Sequence, residues 1–199
     1  MSVTTFNSKR QAVITDWQNF PSVAAGTLIT AVTTNPTYGA VVQNKAIWRR
    51  VGDSMEIMWN YHHTTAGSNG SGIYLFNLPA GYIIDVSKTG TANTLSASNR
   101  TPIVGTFLGN YTSDTGLYLG EVIVYSSNQL AISIEYFPGG TTPSVGLWNT
   151  ATGLGTFNVA NLTLSLRATL PIVGWNVGSV FSNSRVEYKI SYLQTESLK

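Results

Sequence analysis

The sequence predicts a nearly all-β domain, built as an antiparallel sandwich or barrel. Apolar residues alternate with polar ones, or form short runs rich in Val, Ile, Tyr and Trp, which is the pattern of strands. Clusters of Gly, Pro, Ser and Asn separate roughly eight to ten such runs. No helical stripe of about 10–15 residues lies between them, so we expect a helix content close to nil.

The N-terminal residues 1–35 differ from the rest, because they are Thr-rich and weakly patterned. They carry Trp17 and Phe20 but cannot form a core of their own. We therefore divide the chain into an N-terminal arm or edge segment (residues 1–35) and a β-domain (residues 36–199). The segment either supplies an edge strand to its own domain, the favoured alternative, or docks on a neighbour. One helical turn is expected at residues 14–18, ended by Pro21.

Two strands are predicted next, at residues 55–61 (MEIMWNY) and 72–78 (GIYLFNL). The loop between them contains the Gly and Asn residues that turns need, so the pair is predicted to form a hairpin with a long polar tip. Trp59 lies in the middle of the first strand and is expected in the core. Pro79 ends the second strand, because proline lacks the donor that a central ladder needs.

A second hairpin is predicted at residues 120–125 and 130–136, which flank the short connection SSNQ. Residues 161–169 then alternate strictly, which predicts one packed and one solvated face. Residues 186–193 (VEYKISYL) alternate likewise and predict a final strand. The side chains expected to point inward in the stretch 161–169 are Leu162, Leu164, Leu166 and Ala168.

Composition limits the classes of partner. The 199 residues suffice for one core, since a chain of this size buries roughly 70% of its unfolded surface. There is no cysteine, which excludes disulfides, thiolate metal sites and thiol nucleophiles. Charged residues make up only 10%, against about 25% in ordinary domains, and the net charge of +2 is too small to indicate nucleic acid. No apolar run indicates a signal peptide or membrane span, so no leader and no membrane partner are expected.

No catalytic residue, cofactor or metal site is expected. His62 and His63 are the only histidines, and adjacent strand residues point to opposite faces, so one metal ion cannot easily use both. We expect solvated loop side chains. Ser71 lies between Gly70 and Gly72, but the strand-to-helix context of a nucleophile elbow is missing. P-loop, dinucleotide and EF-hand fingerprints are absent, while an irregular calcium site, which needs no motif, stays open.

A pair of carboxylates for glycoside hydrolysis is not indicated, because sequence spacing does not show that any two acids face each other. Asp53 and Asp85 are better explained as turn residues. The acids available for such a pair are Asp53, Glu56, Asp85, Asp114, Glu121 and Glu135.

Five Trp and ten Tyr, together with polar loops at residues 64–71 and 87–99, form a combination that carbohydrate-binding sandwiches use. Aromatic residues are also favoured in strands for packing alone. For any single Trp, the core or a subunit interface is the preferred position.

Three motifs carry a resemblance to a known family. WRRVGDSMEI at residues 48–57, LPAG at 78–81 and PIVGW at 171–175 resemble a family of tailed-phage virion domains found in tail fibres, head fibres and capsid decoration proteins. Asp16-Trp17 is similar to the start of those domains, so the resemblance extends from about Asp16 to Trp175. It implies a jelly-roll-like β-sandwich of the C1q or tumour-necrosis-factor kind, usually trimeric, with no catalytic residues to transfer.

Within this resemblance two functions compete. A fibre tip commonly follows a coiled coil or β-helix, whereas this sequence begins at Met1 and has no heptads. We therefore expect a virion protein that is a homotrimeric capsid decoration, or cement, protein bound to the major capsid protein. The alternative is a tail- or head-fibre receptor-binding protein that recognises host surface carbohydrate. An enzyme acting on glycosides is the least favoured class.

The doublet Arg49-Arg50 inside the first motif has an expected geometry. Adjacent strand residues face opposite sides, so each face receives one arginine at most. One guanidinium is then expected to be held by an inward or intersubunit acid while the other meets solvent; the alternative, equally favoured, is that both form a surface pair.

Overall fold

A computed structural model describes residues 13–91, 102–110, 117–136, 144–148 and 157–175. Over these ranges 57% of the residues are in strands and 3% in a helix, so the regular secondary structure is nearly all β and the predicted all-β class is confirmed. The strands are β1 (Gln18–Asn19), β2 (Ile29–Ala31), β3 (Val41–Val51), β4 (Ser54–His63), β5 (Tyr74–Asn77), β6 (Ile103–Asn110), β7 (Leu117–Ser126), β8 (Gln129–Tyr136), β9 (Ser144–Leu147) and β10 (Thr163–Pro171), and the short helix α1 is Val86–Thr89.

The strands form one antiparallel sheet in the order β1-β3-β4-β10-β6-β7-β8-β5-β2, with β9 paired to the other half of β8. β4 and β5 are far apart in this order, yet the ring centroids of Trp59 and Phe76 are only 5.8 Å apart. The sheet therefore curls until its two halves face each other across a core. This is the sandwich-like arrangement expected of an all-β chain of this length.

The core follows the period-two alternation of the strands. In β4 the odd-numbered side chains point inward, and Trp59 is completely buried, which confirms its predicted place. The four side chains predicted to point inward around β10 are all buried as well. A small second cluster lies on the opposite face of β5, β7 and β8. Its buried members are Leu75, Ile123 and Ala131.

The predicted hairpin between residues 55–61 and 72–78 is wrong. β4 pairs with β3 and β10, whereas β5 pairs with β8 and β2. The reason is the connecting loop, residues 64–71, which runs antiparallel to residues 34–37 through bridges at Thr34–Ser71 and Thr37–Ser68. It crosses the open end between the two halves of the sheet, so β5 joins the opposite half.

The contact between these two loops is very close. A Cβ added at Gly39 would overlap the backbone carbonyl of Thr65, and one added at Gly67 would overlap the carbonyl of Thr37. Side chains reinforce the pairing, because the hydroxyls of Thr37 and Ser68 lie 2.8 Å apart and Thr65 accepts the Ala40 N–H at 2.8 Å. Glycine is required wherever backbones approach this closely.

The helical turn predicted at residues 14–18 is also wrong. β1 pairs with Trp48 and Ile47 of β3, and Ile14 forms a bridge with Val51. The edge of β3 supplies these residues with backbone hydrogen bonds that an isolated turn would leave unmade. Phe20, just after β1, is buried in the common core, as are Leu28 and the first residue of β2, Ile29.

The hairpin predicted at residues 120–136 is confirmed, with β7 and β8 joined through Ser127 and Asn128. β5 ends at Asn77, before Pro79, as predicted. The final strand predicted at residues 186–193 lies outside the described residues, as do most of the polar loop 87–99 and Asp114.

Candidate functional site

A groove crosses the outer face of the sheet, on the side opposite the core, where β3, β4, β10 and β6 lie next to one another. Its volume is about 360 Å³. The polar and aromatic side chains that line it are Trp17, Arg49, Glu56, Thr106, Arg167 and Thr169.

Strand register brings these residues together. Arg49 of β3 lies opposite Glu56 of β4, and Glu56 lies opposite Thr169 of β10. Two residues before Thr169 on the same strand, Arg167 of β10 lies opposite Thr106 of β6. Because successive side chains alternate in direction, these two rows project from the same face and form neighbouring layers of the groove.

One wall of the groove is held in place by its own contacts. The Nε of Arg49 donates to Oε2 of Glu56 at 2.7 Å, and both side chains are about one third exposed. The Arg49 guanidinium also lies over the Trp17 ring, 4.7 Å from its centroid. A cation over an indole face attracts the ring quadrupole, so Trp17, Arg49 and Glu56 support one another.

The side chains of Arg49 and Arg50 have different surroundings, because adjacent residues of a strand point to opposite faces. The Arg50 guanidinium lies 5.0 Å from the centroid of the Trp175 ring, and its Nε donates to the Gly52 carbonyl at 2.7 Å. Arg50 therefore belongs to the end of the sheet and not to the groove.

Arg167 has no comparable partner. Its side chain is exposed and makes no ion pair or hydrogen bond with another of the described residues. The carboxylate of Glu56 is already bound by Arg49. The groove thus contains one guanidinium, that of Arg167, which forms no ion pair with the residues that the structure describes.

An apolar patch adjoins the groove. Leu108 of β6 and Leu119 of β7 lie directly opposite each other in the register, with 39% and 61% of their surfaces exposed. A smaller cavity of about 180 Å³ separates them from Arg167. We call Leu108 and Leu119 the leucine patch. Large aliphatic side chains paired on an outer sheet face are the kind of surface that an interaction partner covers.

The two histidines lie on opposite faces of β4, as their adjacency requires, but they are strand residues and not loop residues. The expectation of solvated side chains is wrong for His63, which is fully buried. His62 is on the outer side, with Nδ1 3.1 Å from the Thr163 hydroxyl.

His63 is fixed in one tautomer by its neighbours. Nε2 lies 2.7 Å from the Val159 carbonyl, which only accepts, so Nε2 carries the proton. Nδ1 then accepts from the Tyr61 hydroxyl at 2.8 Å and from the Gly39 N–H at 3.3 Å. Burial lowers the pKa of His63, and the hydrogen bond to Val159 opposes this shift. His63 is therefore a neutral structural link, with no exposed nitrogen for chemistry.

Asp53 lies in the turn between β3 and β4, as expected, whereas Asp85 directly precedes the helix α1 and is not a turn residue. The two acids meet at Lys88, whose Nζ is 3.0 Å from Asp53 Oδ2 and 3.5 Å from Asp85 Oδ2. The hydrogen bond from Lys88 lowers the pKa of Asp53, and that from Ser87 lowers the pKa of Asp85. A glycosidase needs one carboxyl group with a raised pKa, so this pair is unsuited to acid catalysis.

The described residues contain no group of three or more His, Asp or Glu side chains placed to hold a metal ion. Among those same ranges, no helix has the length and apolar character needed to cross a membrane.

The tryptophans divide between core and surface. Trp48, Trp59 and Trp148 are buried, and Trp175 packs on Trp48 with ring centroids 6.1 Å apart. Trp17 is 38% exposed and lines the groove. Sequence reasoning did not single out Trp17 as a site residue, because its neighbours in the groove are remote in sequence.

The polar loop 64–71 forms backbone hydrogen bonds with residues 34–40, and these bonds use polar groups that a sugar would otherwise contact.

Comparison with known proteins gives no relative: no protein-family model, no curated protein and no solved structure matches the chain. What the chain binds must therefore be inferred from the chemistry of its own surface.

Proposed function

We propose that the chain is a phage virion structural protein, a homotrimeric capsid decoration protein that binds the major capsid protein. The observation that carries this proposal is the leucine patch. A protein that stabilises a capsid lattice needs exposed apolar surface away from its own core, and the outer face of β6 and β7 provides it.

The low charge of the chain supports the same assignment. Only 10% of the residues are charged, and interface cores are depleted in charged residues. The acids that lie closest to other ionisable groups are held by cations, Glu56 by Arg49 and Asp53 by Lys88. A surface with few charges is suited to binding a partner. Acid catalysis would instead require an acid that is not held in its ionised form by a neighbouring cation.

The three motifs that resemble phage virion domains meet at one end of the sheet. Ile172 donates its N–H to the Asp53 carbonyl at 3.0 Å, and Trp175 stacks on Trp48. Tyr82, which follows the second motif, has its ring centroid 4.7 Å from that of Trp48. The residues that carry the resemblance therefore pack together in one part of the fold. This supports assigning the chain to the class of phage virion proteins.

The test is to locate the protein on purified particles by cryo-electron microscopy and to measure binding by co-sedimentation. We expect trimers distributed over the icosahedral shell. The double variant Leu108→Ser/Leu119→Ser should remain folded and lose at least about tenfold in particle affinity, as expected when two apolar residues at the centre of an interface are made polar.

The matched control is Val32→Ser, which makes polar a side chain that is 55% exposed elsewhere on the surface. It should bind particles like the unchanged protein. Density confined to the tail would show that the decoration assignment is wrong, and undiminished binding of the double variant would show that the leucine patch has no part in it.

A second candidate function is that of a tail- or head-fibre protein that recognises host carbohydrate. The groove favours it, because Trp17 offers a ring and Thr106 and Thr169 offer hydroxyl groups. The isolated protein should then adsorb to host cells and compete with infection. No adsorption at micromolar concentration would contradict this candidate.

A further inference from the structure

We propose that the groove on the outer face of β3, β4, β10 and β6 binds a carboxylate-bearing sugar, with Arg167 holding the carboxylate and Trp17 packing against the sugar ring. This inference rests on the second candidate function and gives it a ligand class and a site.

Charge complementarity selects an acidic ligand. Arg167 is exposed, lines the groove, and pairs with no acid among the described residues. A guanidinium presents a planar fork of donors that matches a carboxylate in two parallel hydrogen bonds. Among the described residues that line the groove, the single carboxylate is that of Glu56, and Arg49 already engages it at 2.7 Å.

The wall of the groove opposite Arg167 contains Trp17, whose indole can pack against a sugar ring. Trp17 is held by the guanidinium of Arg49, which is itself fixed by Glu56. A side chain that is already positioned loses less conformational entropy when a ligand binds. The indole therefore offers a preformed apolar surface to the ligand, while the hydroxyl groups of Thr106 and Thr169 are available for hydrogen bonds.

The backbone geometry favours a sugar over a peptide. Extended peptides bind sheets mainly by pairing with free backbone groups at an edge. Here the strands under the groove pair with one another, at Glu56–Thr169 and Arg167–Thr106, so their backbone groups are used. The lining residues other than Gly105 therefore present side chains to the ligand. The volume of about 360 Å³ lies at the small end of ligand pockets, about 300–1,000 Å³, which suits a compact ring-containing molecule.

Two probes that differ in one group test the inference. Methyl β-D-glucuronide has a carboxylate where methyl β-D-glucoside has a hydroxymethyl group. Binding of each to the full chain is measured by saturation-transfer NMR and calorimetry at low salt. We expect the glucuronide to bind about tenfold or more tightly than the glucoside, as a charge-assisted pair of hydrogen bonds implies. This preference should shrink as salt is added.

The variant Arg167→Gln should abolish the preference for the glucuronide. Its control is Lys45→Gln, which removes the same charge from an exposed position on β3 that does not line the groove. That variant should keep the preference. Trp17→Ala should weaken binding of both sugars. Urea unfolding of each variant establishes that it is folded.

Equal affinity for the two sugars, no binding of either at millimolar concentration, or a preference that survives Arg167→Gln would overturn the inference. Tighter binding of a penta-glutamate peptide, lost in Arg167→Gln, would also overturn it and assign the groove to an acidic protein segment. If the Arg167→Gln variant still adsorbs to host cells, the protein binds a receptor but does not use the groove to do so. That result would contradict this inference and not the second candidate function. Co-sedimentation of the Arg167→Gln variant with particles measures capsid binding, and so tests the decoration proposal separately from sugar binding.

Discussion

The Nδ1 atom of His63 lies 2.8 Å from the hydroxyl oxygen of Tyr61, the preceding inward residue of β4. The same imidazole reaches the Gly39 backbone and the Val159 carbonyl. One buried ring therefore joins three segments at the end of the sheet where the loops cross. A buried side chain with three such bonds should influence the stability of the whole domain.

Acidification is expected to destabilise the protein through His63. Burial lowers its pKa below the ordinary value of 6.5, so the unfolded chain binds more protons than the folded one below about that pH. The free energy of unfolding should be constant, as far as this group is concerned, above the unfolded pKa. It should fall as the pH drops toward the folded pKa. Urea unfolding between pH 5 and 8 measures it.

The control variants separate the two histidines. His63→Gln should be destabilised at neutral pH and should lose this pH dependence, whereas His62→Gln should keep it. An identical pH profile in His63→Gln would show that another group is responsible.

Trp59 is expected to dominate the packing of the core. Its ring is completely buried, and its Nε1 donates to Asn44 Oδ1 at 2.9 Å, while Asn44 in turn binds the Val23 carbonyl at 2.7 Å. Trp59→Ala should lower the free energy of unfolding by about 3–5 kcal/mol, because it leaves a cavity and an unpaired amide. Trp17→Ala, at the surface, should cost less than about 1 kcal/mol. Similar costs for the two would contradict the assignment of Trp59 to the core.

Gly39 should tolerate no side chain. Its added Cβ would overlap the Thr65 carbonyl, which is backbone and cannot rotate away. Gly39→Ala is expected to cost about 1–3 kcal/mol, the range for overpacking. Ala66→Ser, an exposed change in the same loop, should be nearly neutral when both are compared by thermal unfolding. A neutral Gly39→Ala would mean that the two loops are less closely paired.

The pair Arg49–Glu56 should contribute little to stability despite its short distance. Both side chains are about one third exposed, so solvent screens the interaction. A double-mutant cycle with Arg49→Gln and Glu56→Gln should give a coupling of about 0.2–1 kcal/mol, reduced at high salt. A larger and salt-independent coupling would indicate a pair buried by a partner.

The sequence predicted best those elements that depend on neighbouring residues. The alternation around β10 follows from one buried face, and the β7–β8 hairpin follows from a short connection. It failed where pairing is decided at long range. Nothing local distinguishes a strand that pairs with its sequence neighbour from one that joins the opposite half of the sheet, as β5 does.

The groove illustrates the same limit. Alternation places Arg49, Glu56 and Arg167 on outward faces, but only the strand order makes them neighbours. His63 was missed for a different reason. The inward series that includes Ile57, Trp59 and Tyr61 continues to His63 with the same period, and this signal was available in the sequence.

The position of β10 between β4 and β6 has a consequence for biosynthesis. β10 pairs along its whole length with β4, over a hundred residues earlier in the chain, and also with β6. Until the ribosome has released β10, the nascent chain exposes two long unpaired strand edges, the surfaces on which other chains assemble wrongly. Folding should therefore complete late and slowly, as expected for long-range pairing. Truncations before Pro171 should yield aggregates rather than smaller domains.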